Sequence, residues 1–245
     1  LEEATGKFQR FPHHGGRSPN TSCDPSTWTF RDEPDGELWL GTSHGLERLS
    51  ATGVHTVYHF DPADERSLSH DSVRHIFEDR SGTLWFGAES GLNRYSAASR
   101  RFTTFRRGPS SHLSDNVIKA LYEEPDGTVW VGTDLGLNRY DPQTGDFTTY
   151  RHQKGKADGI PSDIVSGVLP IAADTVWLTT PEGLSRFNPK TGRFQTYRHD
   201  PGNPATLTPG RVGFLRTYDQ GKTLWIGGHN GLNHMDVATG KVTRY

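Results

Sequence analysis

The stretch GTLWFGAESGLNRYS at residues 82–96 returns 45 residues later as GTVWVGTDLGLNRYD at residues 127–141. Both copies place a Gly two positions after a Trp and a second Gly six positions after it, followed by Leu. The Trp recurs as Trp39, Trp85, Trp130, Trp177 and Trp225, at spacings of 46, 45, 47 and 48 residues, and the later glycine as Gly45, Gly91, Gly136, Gly183 and Gly231. A second signal closes each unit: an aromatic, at Tyr58, Phe105, Tyr150, Tyr197 and Tyr245, five residues after a Thr-Gly such as Thr144-Gly145. The second unit has Ser99-Arg100 in place of that dipeptide. A period of this length spread over a whole chain is the mark of stacked repeats, each unable to bury its apolar faces alone.

Within residues 106–150 the apolar runs are short and rich in Val, Ile, Tyr, Phe and Trp, and Gly, Pro and Asp turn signals separate them. Such runs read as strands. The links PDGT, DLG and DPQTG carry hairpin chemistry, which makes each unit a four-stranded antiparallel meander. The runs LWFG and VWVG are apolar on both faces, as a sheet sandwiched between neighbours requires. The expectation is an all-β chain, a β-propeller of four-stranded antiparallel blades with about five blade repeats of 45–48 residues. Residues 1–245 then form a single propeller region with blades at approximately 12–58, 59–105, 106–150, 151–197 and 198–245. Strand order within a blade runs from axis to rim, and Val117, Ala120, Gly41, Gly87, Gly132 and Gly227 suit close approach near the axis, with Thr179 replacing the Gly in the fourth unit. Residues 1–11 repeat the closing phrase without a Trp phrase before it and read as an orphan outer strand. The last unit has its own outer strand, GKVTRY, which favours a section of a longer propeller over a ring that closes at five.

Composition narrows the class further. The hydrophobic fraction is 31% and the mean hydropathy −0.72, yet six Trp, eight Tyr and twelve Phe supply large buried areas from few positions. A formal net charge of −2 gives no basic face, so no nucleic-acid partner is expected. One cysteine, Cys23, excludes an internal disulfide and a Cys-rich zinc site. No apolar run approaches the length of about 20 residues that spans a bilayer.

LWFGAESGLNRYSAASRRFTTF and VWVGTDLGLNRYDPQTGDFTTYRH, joined by linkers such as HFDPADERSLSHDSVRHIFEDRSG, resemble the two-component regulator propeller repeat over essentially the whole chain. The match is weakest at residues 12–30, which leaves the inner strand of the first blade open. The resemblance implies a periplasmic or extracytoplasmic sensor region of a bacterial receptor. Its partners would be a small ligand, often an oligosaccharide, and a histidine kinase or diguanylate cyclase module of the same parent receptor. It implies no catalysis in these residues and no cofactor. The fourth unit, VWLTTPEGLSRFNPKTGRF, also resembles streptogramin lyase propellers, in which a His and a magnesium ion support elimination, but the other units follow the sensor wording. A protein-interaction scaffold is a further reading, because fold alone does not decide function.

Several motifs carry candidate chemistry. GTSHG at 41–45 satisfies the G-x-S-x-G pattern of serine hydrolases, but that elbow joins a strand to a helix. Here the frame calls for a strand-to-strand turn, so Ser43 is read as a hairpin tip. Among the twelve histidines, His13, His14, His152 and His199 read as linker residues, with metal ligation as the less favoured alternative. The sequon Asn20-Thr21-Ser22 reads as a chance match. Hairpin tips between second and third strands converge with the inter-blade linkers on one face, and they differ from blade to blade: His44, Glu89, Asp134, Glu182, His229 and Asn230. These are the candidate ligand-binding residues, with exposed polar turns as the plainer reading. Trp28 stands outside the frame and is expected in the core, with stacking on a sugar ring as the alternative. An open section exposes two blade faces, which predicts self-association.

Overall fold

The computed structural model of the chain describes residues 26–108, 111–172 and 174–245. The orphan phrase at 1–11, His13, His14, the sequon and Cys23 lie outside the described residues. The described residues contain strands and turns and no helix.

The first blade is β1 (Thr27–Asp32), β2 (Leu38–Thr42), β3 (Gly45–Leu49) and β4 (His55–Tyr58). The second is β5 (Val73–Glu78), β6 (Leu84–Ala88), β7 (Gly91–Ser96) and β8 (Arg101–Phe105). A two-stranded ribbon, β9 (Arg107–Gly108) with β10 (Ser111–His112), precedes the third blade, β11 (Ile118–Glu123), β12 (Val129–Thr133), β13 (Gly136–Tyr140) and β14 (Phe147–Tyr150). The fourth is β15 (Gly167–Ala172), β16 (Thr175–Thr180), β17 (Gly183–Asn188) and β18 (Arg193–Tyr197). The fifth is β19 (Val212–Arg216), β20 (Thr223–Gly228), β21 (Gly231–Asp236) and β22 (Val242–Arg244). In all five sheets the spatial order equals the sequence order, as expected of an antiparallel meander. The first blade does have an inner strand, β1, paired with β2.

The repeated phrase is legible as one packed joint. Gly45, Gly91, Gly136, Gly183 and Gly231 all have positive φ, between 126° and 142°, and a Cβ at any of them would lie no farther than 2.8 Å from the carbonyl oxygen of the closing aromatic. Only glycine allows both, so the two signals of the repeat are the two sides of a single contact between third and fourth strands. A buried Thr beside this turn donates its hydroxyl to the glycine carbonyl, from Thr42 and Thr133 at 2.9 Å and from Thr180 at 3.2 Å.

The core is not central. Among the described residues it consists of four clusters, each shared by two successive blades. Trp39 and Leu46 of the first blade pack with Val73, Phe86, Tyr95 and Phe102 of the second. Trp85 and Leu92 pack with Ile118, Val131, Tyr140 and Phe147 of the third. Trp130 and Leu137 meet Val165, Leu178, Phe187 and Phe194 of the fourth, and Trp177 and Leu184 meet Val212, Ile226, Met235 and Val242 of the fifth. The innermost strands pack in series, β1 on β5, β5 on β11, β11 on β15 and β15 on β19. No comparable packing joins the fifth blade to the first among the described residues. Gly41, Gly87 and Gly132 permit this close stacking, because the space of a Cβ there is taken by Val73, Ile118 and Val165 of the next blade.

Linkers are fastened by a buried amide. Asn93, Asn138 and Asn233 each accept from the backbone N–H of Ser69, Ser114 and Thr208 at 2.8 Å and donate to the hydroxyl of the same residue. That bond pins the linker entering the blade over its third strand, and it fixes where the upper loops lie.

Candidate functional site

Linkers and second-to-third-strand tips share one face of the molecule. The Glu89 N–H donates to the Ser72 carbonyl at 3.2 Å, the His229 N–H to that of Arg211 at 3.1 Å, and the Asn230 side-chain amide to that of Pro209 at 3.0 Å. Tip residues therefore sit against the linkers that lead to the inner strands.

The inner strands contribute to this face as well. Register shifts fall between Thr27 and Thr29, between Val73 and His75, between Ile118 and Ala120, and between Val212 and Gly213's neighbour Phe214. A β-bulge leaves one residue unpaired and re-aims its side chain. At the linker end of the inner strands the bulged residues are Trp28, Arg74, Lys119 and Gly213, while β15 has its bulge, Ile171, at the opposite end, next to the turn into β16. Trp28 is 49% exposed and the Arg74 guanidinium lies 4.5 Å from its ring centroid. Core burial, the expectation for Trp28, is therefore corrected: the bulge turns the indole out of the blade.

Arg74 also donates through Nε to Glu89 at 2.9 Å, with a second bond from Nη2. Trp28, Arg74 and Glu89 thus form a relay from the first blade to the second. In the third blade Lys119 repeats the arrangement with Asp134 at 3.3 Å. The Arg74 contact holds the Glu89 carboxyl below its ordinary range, with burial opposing. His75 follows Arg74 in β5 and feels both cations. Burial pushes it down to about 4, a hydrogen bond to the Ile118 backbone works against this, and Arg74 and Lys119 add to the depression. A neutral imidazole there spares the site a third positive charge.

Of the six tip residues, Glu89 and Asp134 belong to this axial group. His44 does not: its Nδ1 lies 2.8 Å from Ser43 Oγ within its own turn. That turn joins β2 to β3, so GTSHG has the strand-to-strand geometry expected and lacks the hydrolase elbow. Glu182 lies 3.9 Å from Arg198 and lines a separate groove of about 280 Å³ with His199, Thr208 and Arg211. Asn230 and His229 are tied to the last linker. His152 and His199 are pinned through Nδ1 to the Ile160 and Leu207 carbonyls, each at 2.8 Å, which accounts for them as linker residues.

Sequence reasoning missed Arg74 and Lys119. The available signal was a constant spacing, since Arg74 with Glu89 and Lys119 with Asp134 are both opposite charges 15 residues apart. The assembled chemistry is an exposed indole beside the Arg74–Glu89 ion pair, with a second pair, Lys119–Asp134, on the third blade, each pair of opposite charges. Such a surface stacks on an apolar ring face and hydrogen-bonds to hydroxyls.

Comparison with known proteins agrees with the architecture. Solved structures similar to the chain include the extracellular domain assigned to a hybrid two component system of B. thetaiotaomicron, with a TM-score of 0.75, 20% identity, and coverage of 89% of this chain and 29% of that one. A second such domain from the same organism gives 0.71 and 20%, covering 91% of this chain and 31% of its own. Virginiamycin B lyase from Staphylococcus aureus gives 0.63 and 14%, covering 93% and 71%. The chain thus spans about a third of the B. thetaiotaomicron domains, and at these identities the likeness concerns the fold. No curated protein matches in sequence. Residues 67–90 and 112–134 match the family model described as two component regulator propeller. These matched segments run from linker to hairpin tip and include Arg74, Glu89, Lys119 and Asp134, so the likeness to the two component regulator propeller model falls on two of the linker-to-tip stretches.

Proposed function

We propose that this propeller is the ligand-sensing part of a bacterial signalling receptor, that it binds a small saccharide on the axial face, and that a kinase or cyclase module of the same parent reads the binding. The observation that carries this reading is the exposed Trp28 ring against the Arg74–Glu89 ion pair, with the Lys119–Asp134 pair at the corresponding positions of the third blade. Indole stacking supplies apolar contact with a sugar ring at little entropic cost. The charged side chains, already held in place by one another, supply bonds to hydroxyls without a net charge that would select phosphate. An extracytoplasmic address accords with the extracellular domains that share the fold.

Thermal denaturation against a panel of polysaccharide-derived oligosaccharides tests this reading. A ligand at about 100 times its dissociation constant adds about 2.7 kcal/mol, which moves the melting temperature by a few degrees in a chain of this size. A shift with a saccharide and none with magnesium and a streptogramin supports the sensor reading. A shift with the streptogramin pair alone transfers the chain to the lyase reading.

A further inference from the structure

The four blade interfaces share one pattern, and the two outer faces of the run carry its two halves. On the earlier blade the donor half is the Trp, the Leu after its glycine, and the closing aromatic stacked on that Trp, as in Trp39 with Tyr58 at 5.9 Å and Trp85 with Phe105 at 5.8 Å. On the later blade the acceptor half is the residue directly after the Trp and the residue ten after that Trp: Phe86 and Tyr95, Val131 and Tyr140, Leu178 and Phe187, Ile226 and Met235.

The fifth blade holds a complete donor half, with Trp225 at 5.7 Å from Tyr245 and Leu232 in the corresponding place. Here Trp225 and Leu232 are half-buried and Tyr245 is exposed, whereas the four earlier leucines are fully buried. The first blade holds a complete acceptor half in Leu40 and Leu49, both half-buried, beside an inner strand that exposes 69% of Phe30. An aliphatic acceptor already works within the molecule, since Ile226 and Met235 receive Trp177.

Charge fits as well. At the first interface Arg31, opposite Trp39 in the ladder, pairs with Glu78, opposite Leu84 in the next blade. The same registers place Arg216 opposite Trp225 in the fifth blade and Asp32 opposite Leu38 in the first, and both residues are exposed. We propose that the outer face of the fifth blade docks on the outer face of the first blade of a second copy of this chain, with Arg216 paired to Asp32. The contact is head to tail: apolar halves drive it and the ion pair sets its register.

Charge reversal tests the proposal, read by light scattering and sedimentation velocity over a range of concentrations. The wild-type mass is expected to rise with concentration. Arg216→Glu and Asp32→Arg each weaken association by about tenfold or more, because like charges then meet. An equimolar mixture of the two variants regains association, since each fifth blade again meets an opposite charge on its partner. The double variant regains it in one chain, which shows that the singles had not failed through misfolding. A wild-type monomer at every concentration, including a chain closed on its own first blade, would overturn the proposal. So would variants that associate like the wild type, or a mixture that gains nothing.

Discussion

The third and fourth blades have the same four strands and the same Trp-to-aromatic frame, yet they differ at three repeat positions. In the third, Gly132 faces Ala120 across the first two strands, while in the fourth Thr179 faces Gly167. The third fastens its linker by Asn138 to Ser114. The fourth has Pro161 at the linker position, which offers no N–H, and Ser185 in place of the Asn, bonded instead to Thr196 at 3.1 Å. Trp130 donates its indole N–H to Glu124 at 2.8 Å, whereas Ile171 occupies the place of Glu124 in the fourth blade and the buried Trp177 Nε1 has no partner. The first change comes as a pair that preserves the close contact, the second as a pair that gives up the linker bond without stranding a donor, and the third leaves a donor unsatisfied. The repeat is therefore a set of pairwise contacts, and a blade departs from the wording where both partners change together.

Substitution of the two tryptophans gives the largest contrast. Trp130→Ala and Trp177→Ala each remove a fully buried indole at a cost of about 3–5 kcal/mol, with Trp130→Ala the worse by about 1 kcal/mol because it also strands Glu124. Equal losses in chemical denaturation would mean that the Glu124 bond contributes nothing. Next in size, Asn138→Ala leaves the Ser114 N–H unpaired and costs about 2–3 kcal/mol, while Ser185→Ala costs under about 1 kcal/mol, read from the same denaturation curves. Gly167→Ala places a Cβ 2.6 Å from the Thr179 hydroxyl and costs about 1–3 kcal/mol. Adding Thr179→Gly recovers most of it, and a double-mutant cycle with no coupling between the two would break the pairwise account.

The smallest effect is one of pH and compares the acceptors of the indole bonds. Burial pushes Glu124 up, only partly offset by the Trp130 bond, whereas at Asp79 burial is outweighed by bonds from Ser81, Trp85 and Thr83 and the carboxyl lies below its ordinary range. A raised carboxyl stabilises the fold below its unfolded value near 4.5 and loses that contribution as pH rises through its folded value. A lowered one stabilises above 3.8 and loses its contribution as pH falls. Glu124→Gln should therefore gain on the wild type in melting temperature as pH rises from 4 towards neutrality, and Asp79→Asn should lose ground over the acid range (about pH 2 to 5) in the same direction of titration. Parallel melting curves for both variants would contradict the assignment.

The blades are legible because their constraint is periodic: a positive-φ glycine against a carbonyl oxygen recurs five times and a Trp buried between sheets four times, which chance does not imitate. The candidate site was legible in half. Glu89 and Asp134 were visible as variable tips, but their cations sit on bulges, and a register shift of one residue leaves no trace in the apolar pattern of an inner strand. Trp28 departs from its expectation for the same reason: it stands outside the periodic frame, and a large aromatic on an inner strand is assigned to the core unless a bulge turns it out. The aromatic acceptors of the first three interfaces, Tyr95, Tyr140 and Phe187, belong to the quoted GLNRY wording or its variant, and nothing in that wording points to their partner in the preceding blade.

Calorimetric titration of the wild type, Trp28→Ala and Lys119→Ala with the oligosaccharide that most stabilises the chain tests the central claim most directly. Both residues are partly exposed on the axial face, so their loss leaves the fold intact while removing the stacking surface or one ion pair. The account predicts saccharide binding to the wild type, loss of at least about 1 kcal/mol of binding free energy in Trp28→Ala, and a smaller loss in Lys119→Ala. Binding unchanged by both substitutions, or no saccharide that binds the wild type, would contradict it.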